Sequence, residues 1–68
     1  MLSARNQLKG TVKAVKLGAV MAEVVVTVGE NEIVSAITRT SVENMKIKEG
    51  DAVTVVIKAT EVMLSKNV

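Results

Sequence analysis

Hydrophobic and polar residues alternate along most of the chain, with the two-residue period of a half-buried β-strand. The pattern predicts strands over residues 8–17, 21–28, 33–38 and 52–58, with a short fifth strand over 62–65. Valine is prominent in these segments, and its stiff β-branched side chain favours a pleated sheet. The sequence therefore predicts an all-β domain.

Two local features interrupt this alternation. Adjacent apolar residues at Ala14 and Val15 shift the phase of the first strand, which predicts a β-bulge at that point. Residues 40–43 match the S/T-x-x-E capping box, so we expect a short helix with Thr40 as its N-cap and Glu43 reaching back to it. Five strands with one short helix between the third and fourth are typical of a small oligonucleotide/oligosaccharide-binding-like (OB-like) barrel.

The composition limits how the chain can stabilise itself. A length of 68 residues corresponds to a single domain, residues 1–68, in which 49% of the residues are hydrophobic and none is aromatic. So small a domain buries a limited share of its surface, and a mean hydropathy of +0.37 indicates more apolar material than one small core can cover. We therefore predict a homo-oligomer that buries the excess between subunits. A tight monomer with some exposed aliphatic side chains is the alternative.

Several classes of function are disfavoured by the composition. The chain has no Cys and no His, the usual zinc ligands, and it shows no recognisable nucleophile–base pair, so it is predicted not to be an enzyme. A net charge of +2 without aromatic side chains matches nucleic-acid binding poorly, which leaves that function as a less favoured alternative. No apolar run suits a signal peptide or a membrane span, so a cytoplasmic protein without a membrane partner is predicted.

Polar residues without neighbouring carboxylates form three clusters. These are Ser3-Ala4-Arg5-Asn6, Thr38 with Ser41, and Lys58-Ala59-Thr60. Each lies at a predicted strand end or turn, where hydroxyl groups, backbone N–H groups and positive charges can converge. Such a set suits a tetrahedral dianion, which needs many hydrogen-bond donors and one or two fixed charges. The alternative is a structural oligomerisation module in which Arg5 and Lys58 are solvated and Ser41 serves only the helix start.

The motifs that carry these clusters resemble those of a known family. The opening Ser-Ala-Arg-Asn-Gln-Leu-Lys-Gly of residues 3–10 is similar to the opening signature of the molbindins, the small molybdate-binding Mop proteins. The resemblance continues through residues 18–24, 37–42 and 57–63, and so extends over essentially the whole chain. It implies a β-barrel, a hexamer built as a trimer of dimers, and reversible binding of molybdate or tungstate between subunits for storage or homeostasis.

The resemblance also implies which residues hold the oxyanion. In the family, the Ser and Arg of the opening motif come from one subunit. The Thr/Ser pair, the Lys of the third cluster and the residues after that Lys come from a neighbouring subunit. The corresponding positions here are Ser3, Ala4 (through its backbone), Arg5, Thr38, Ser41, Lys58, Ala59 and Thr60. Some relatives have Ser directly after the Lys, whereas Ala59 can donate only its backbone N–H. The metal is then carried as an intact oxyanion, without direct metal ligands from the protein.

Overall fold

A computed structural model describes residues 4–66 of the chain. In chain order the elements are β1 (Asn6–Leu17), β2 (Met21–Val28), β3 (Asn31–Thr38), the helix α1 (Arg39–Met45), β4 (Ala52–Ile57) and a 3-10 turn at Ala59–Glu61. Antiparallel pairing joins the strands into one four-stranded sheet with the order β3-β2-β1-β4. The predicted all-β, OB-like fold with one helix between the third and fourth strands is therefore confirmed.

The predicted fifth strand over residues 62–65 is wrong. After β4 the chain turns, because the N–H of Glu61 donates to the carbonyl of Lys58 at 2.9 Å, and Met63 and Leu64 are left 93% and 94% exposed. A strand is stabilised by a ladder of hydrogen bonds, and no strand within residues 4–66 pairs with this segment. Within the described part of the chain the sheet is consequently open between its two edge strands, β3 and β4, and residues 4–66 do not close a barrel.

The core lies on one face of this bent sheet. β2 has its predicted bounds, whereas β1 and β3 begin two residues earlier than predicted and β4 ends one residue earlier. The buried residues are Val12, Ala22, Val24, Val26 and Val42. Along β4 the half-buried residues alternate with exposed ones, and the half-buried set is the predicted inward set of Val53, Val55 and Ile57. The period-two pattern therefore identified the correct faces.

A β-bulge bends β1 near its middle. The register with β2 moves from Val12 opposite Val26 to Ala14 opposite Val25, so Lys13 is the extra residue. The bulge is thus present as predicted, although it lies one residue before the apolar pair that indicated it. A bent β1 can pair with β2 over one part of its length and with β4 over another.

Gly10 lies where β1 passes very close to β2. A Cβ atom added to Gly10 would lie 2.5 Å from the carbonyl oxygen of Thr27, 2.7 Å from Cγ1 of Val26 and 2.9 Å from Cγ2 of Val28. These separations are shorter than normal contact distances, so the sheet has room at this position only for a residue without a side chain.

The helix α1 is capped by Thr38, so the predicted N-cap at Thr40 is wrong. Thr38 ends β3 in an extended conformation (φ −70°, ψ 148°), and its hydroxyl oxygen accepts the N–H of Ser41 at 3.1 Å. Because a strand residue that leads directly into a helix already has N-cap geometry, the helix starts two residues sooner than predicted. Glu43 does not reach back to a cap and pairs instead with Arg39. No helix within residues 4–66 is long and apolar enough to cross a membrane.

An apolar groove lies between the unpaired edges of β3 and β4. It has a volume of about 210 Å³, and its lining includes Val26, Ile37, Met45, Ile47 and Val55. These side chains come from both edge strands, from β2, from the end of α1 and from the loop that follows it. The groove is therefore the open side of the incomplete barrel. Apolar surface of this kind is unfavourable in water and marks a place where a further segment can pack.

Candidate functional site

The first and third donor clusters meet at one end of the sheet. Asn6 is opposite Ile57 in the β1–β4 ladder, and the side-chain amide of Asn6 donates to the carbonyl of Ile57 at 3.3 Å. Continuing this antiparallel register by one residue places Arg5 opposite Lys58, and both are exposed. Ser3 lies outside the described residues. The register therefore places two of the predicted cationic residues at the same end of the sheet.

This end of the sheet carries two positive charges, and Glu61 of the 3-10 turn is a nearby carboxylate. No carboxylate within residues 4–66 forms an ion pair with Arg5 or Lys58. Two neighbouring positive charges repel each other, and a bound anion relieves that repulsion while accepting hydrogen bonds from both side chains. The guanidinium and ammonium groups also offer different geometries, a planar fork and a compact charge, around one ligand.

The 3-10 turn after β4 adds backbone donors beside Lys58. Lys58 is the N-cap of this turn, and Ala59 and Thr60 are its first two residues. The first N–H groups of a helical turn are not used by hydrogen bonds within it. The backbone N–H groups of Ala59 and Thr60 therefore remain for an external acceptor, and the side chain of Ala59 does not obstruct them.

The second donor cluster, Thr38 with Ser41, lies where β3 passes into α1. The hydroxyl oxygen of Thr38 accepts the N–H of Ser41 at 3.1 Å, and the Thr38 hydroxyl donates its own hydrogen to the Ser41 oxygen at 2.8 Å. The hydrogen of the Ser41 hydroxyl is not used in this arrangement and can be donated to a ligand. Thr38 thus fixes the position of Ser41, and its donated hydrogen bond strengthens Ser41 as a donor.

An open pocket of about 530 Å³ lies beside this second cluster. Its lining includes Thr38, Arg39, Thr40 and Glu43, together with residues of the β1–β2 turn. The guanidinium of Arg39 donates to Glu43 at 3.4 Å and to the carbonyl of Gly18 at 3.3 Å. Sequence reasoning missed Arg39, although an Arg directly after Thr38 with a Glu four residues later was a recognisable helical ion pair.

The two donor-rich regions lie at opposite ends of the sheet. Arg5 and Lys58 flank the start of β1, whereas Thr38 pairs with Met21, next to the point where β1 ends at Leu17. A 12-residue strand such as β1 extends roughly 40 Å when straight, and the longest dimension of the molecule is 39 Å. Hydrogen bonds to one small ion require donors within about 3 Å of its oxygens. The strand register therefore separates the two regions along the length of β1.

Both regions offer hydrogen-bond donors and positive charge, and the second region also contains the Glu43 carboxylate. Residues 4–66 contain no group of three or more His, Cys, Asp or Glu side chains placed to hold a metal ion. The donors are guanidinium, ammonium, hydroxyl and backbone N–H groups, which bind the oxygen atoms of an anion. The arrangement suits a compact anion that presents several oxygens in different directions.

Comparison with known proteins is consistent with this chemistry. A family model described as the TOBE domain matches residues 2–64. Molybdenum-pterin-binding protein 3 of Clostridium pasteurianum is 52% identical over 64 residues, which cover 93% of this chain and 94% of that protein. The structure of a molybdate-binding protein from Sporomusa ovata matches with a TM-score of 0.94 and 42% identity, over 97% of this chain and 98% of that one.

A further solved structure is that of the cytoplasmic molybdate-binding protein ModG with molybdate bound. It matches with a TM-score of 0.82 and 45% identity, over 87% of this chain and 43% of ModG. This chain therefore corresponds to somewhat less than half of the ModG polypeptide.

Proposed function

Because this chain belongs to the TOBE-domain family and, within it, to the molbindins, we propose that it stores and buffers molybdate or tungstate at interfaces between copies of itself. Molybdate is the ligand, bound reversibly as an intact oxyanion and without chemical conversion. Residues 1–68 form a single Mop domain, and the protein acts in the cytoplasm, the location given for ModG.

The separation of the two donor regions is the observation that carries this proposal. Arg5 and Lys58 lie at one end of the sheet, and Thr38 and Ser41 lie at the other. Continuing the β1–β4 register beyond Asn6 and Ile57 puts Arg5 and Lys58 at the same end of the sheet. We therefore assign both to one half of the site, whereas the family resemblance groups Lys58 with Thr38 and Ser41. The N–H groups of Ala59 and Thr60, the backbone of Ala4 and the hydroxyl of Ser3 belong to that half. Thr38 and Ser41 of a second copy form the other half.

The unsatisfied surface of one chain supports assembly with further copies. No strand within residues 4–66 pairs with the outer edge of β3 or β4, and the groove between these edges is mostly apolar. Met63 and Leu64 are almost fully exposed, although burial of each such side chain contributes about 1.5–3 kcal/mol. Neighbouring copies cover these surfaces in the proposed homo-oligomer. A hexamer arranged as a trimer of dimers is the assembly that the family resemblance implies.

Binding energy in such a site comes from charge-assisted hydrogen bonds. Each contributes roughly 1.5–3 kcal/mol, and two cations with several hydroxyl and N–H donors reach micromolar or tighter affinity after the cost of association. The length of the metal–oxygen bonds makes molybdate larger than sulfate, so a cavity formed by rigid strand ends selects by size. The larger ion can contact donors of both halves at once.

Native mass spectrometry of the full chain with and without molybdate tests the assembly and the anion count together. We expect an oligomer whose mass increases by whole molybdate ions. A lone 7.2 kDa chain that binds molybdate would contradict the interface site. An oligomer that takes up no oxyanion in dialysis against molybdate, tungstate, sulfate or phosphate would contradict the binding function.

Substitutions at the β1–β4 end test the assigned donors. Arg5→Ala and Lys58→Ala should each abolish tight uptake in equilibrium dialysis while the oligomer mass is unchanged, because each removes a charge that contacts the ion. Lys48→Ala is the matched control, since Lys48 is an exposed lysine outside both donor regions. If either variant binds molybdate as tightly as the control, the residue substituted in that variant does not belong to the site.

A further inference from the structure

The ion pair between Arg39 and Glu43 lies in the same pocket as Thr38. Both side chains are well exposed, with 42% and 59% of their surfaces accessible. The guanidinium makes two contacts, at 3.4 Å to the Glu43 carboxylate and at 3.3 Å to the Gly18 carbonyl. Charge-assisted hydrogen bonds are normally 2.7–2.9 Å long, so Arg39 is held loosely.

Arg39 has donors to spare for a ligand. A guanidinium carries five N–H groups, and the two described contacts use two of them. The backbone N–H of Arg39 donates to the carbonyl of Val20 at 2.8 Å, which keeps the residue at the pocket wall while its side chain remains adjustable. The guanidinium and the Thr38 hydroxyl therefore line one open pocket from adjacent positions in the chain.

Glu43 contributes the opposite charge to this pocket. Its carboxylate attracts the guanidinium and repels an incoming anion, so Glu43 and an oxyanion compete for the same cation. When the anion binds, the weak Arg39–Glu43 contact is replaced by a contact between Arg39 and the anion, and the carboxylate remains nearby as a repulsive charge. Arg39 alone would raise the affinity of the site for the anion, and Glu43 reduces that increase.

We propose that Arg39 is a further affinity-determining residue of the oxyanion site and that Glu43 limits its contribution by competing for the guanidinium. The inference rests on the proposed function, in which Thr38 and Ser41 form half of that site. It adds a third cation to Arg5 and Lys58, and it assigns a carboxylate that sets how readily the ion is released. A store must give up its cargo, and a competing carboxylate in the pocket weakens retention.

The test uses the full chain and sodium molybdate in equilibrium dialysis at low ionic strength. Glu43→Gln removes the competing charge and should lower Kd by about three- to fivefold, whereas Arg39→Gln should raise Kd by a similar factor, the range expected for partly exposed charges. Glu43→Gln should lower Kd less in the Arg39→Gln background than in the wild type, because only the direct repulsion between Glu43 and the anion is then removed. Both effects should shrink in about 0.5 M NaCl, where the Debye length is only a few ångströms.

Controls separate this inference from a structural role and from the proposed function itself. Glu49→Gln makes the same change in net charge at an exposed carboxylate outside the pocket lining, and its Kd should stay within about 1.5-fold of wild type. If Arg39–Glu43 only stabilises α1, both single variants should weaken binding and lower the melting temperature of the ligand-free protein, which overturns the inference. A Glu43→Gln variant indistinguishable from Glu49→Gln also overturns it while molybdate binding stands. A wild-type protein that binds no molybdate overturns both.

Discussion

Gly10→Ala is the substitution whose cost follows most directly from the structure. It adds one methyl group at the point where β1 approaches β2, and that methyl would lie 2.5 Å from the Thr27 carbonyl oxygen and within 3.0 Å of the side chains of Val26 and Val28. Val26 is buried and its β-branched side chain is restricted at χ1, so its methyl group cannot rotate away freely. The carbonyl oxygen belongs to the backbone, so it moves only if the two strands move apart next to the Thr11–Thr27 pair.

The expected loss of stability follows from these contacts. Overpacking of this kind costs about 1–3 kcal/mol. Replacing Gly by Ala also restricts the unfolded chain, which offsets about 0.4–1 kcal/mol of that cost. Because the added methyl group meets a backbone oxygen, the overpacking cost lies in the upper part of its range, about 2–3 kcal/mol, and the net loss is about 1–2.5 kcal/mol. For a domain of this size each kcal/mol lowers the melting temperature by roughly 4–8 °C, so we expect Gly10→Ala to melt about 5–20 °C below wild type.

The assay is thermal unfolding followed by circular dichroism, without molybdate and at equal protein concentrations, because ligand binding and assembly both raise the apparent melting temperature. Thr11→Ala is the control, since Thr11 is the next residue of the same strand and its side chain is exposed. Its cost should stay below about 1 kcal/mol. A Gly10→Ala protein that melts at the same temperature as the control would show that β1 and β2 are not in close contact at this position.

Three further outcomes are expected. Thr38→Val removes the hydroxyl that caps α1 and supports Ser41, so chemical denaturation should show a free energy of unfolding lower by about 1 kcal/mol, and dialysis should show a weaker molybdate affinity. Thr38→Ser should retain the stability and the affinity, and equal affinities for the two variants would exclude Thr38 from the site. Lys13→Ala breaks the ion pair between Lys13 and Glu32, whose two side chains are 58% and 49% exposed. Urea titration should therefore show a change in the free energy of unfolding below about 0.5 kcal/mol, and a decrease of several kcal/mol would show that the pair is not a surface ion pair. Molybdate binding should vary little between about pH 6 and 9, because the chain has no His and Arg and Lys ordinarily titrate above that interval; a steep fall in dialysis across this interval would indicate a titrating group that the donor set lacks.

Local patterns predicted some elements well and others poorly. The alternation along β2 identified its bounds, and the phase slip in β1 indicated its bulge to within a residue. The capping-box motif misplaced the N-cap, because Thr38 at the end of β3 was already positioned to cap α1. The apolar segment at residues 62–65 met the same period-two criterion as a real strand, yet a strand also needs a neighbour with free hydrogen-bonding groups, which a local pattern does not report.

For the candidate site, the residue types could be predicted from the sequence but their arrangement could not. Arg5, Lys58 and the Thr38–Ser41 pair were recognisable from residue type, because guanidinium, ammonium and hydroxyl groups are donors that bind an anion. Their arrangement was not recognisable, since it depends on the register between β1 and β4 and on the strand order. Arg39 was missed because its role depends on a pocket formed with the β1–β2 turn, which is distant from it in the chain.

By itself the sequence determined that the protein is a small β-domain with more apolar residues than one core can bury and with enough hydrogen-bond donors to bind an anion. It could do so because strand periodicity and side-chain chemistry are properties of single residues and their immediate neighbours. Only the tertiary structure decided that β3 and β4 are open edges, that Gly10 has no room for a side chain, and that Arg5 and Thr38 lie at opposite ends of the sheet. Those features arise from contacts between residues far apart along the chain, and strand register and order are set by the packing of the whole domain.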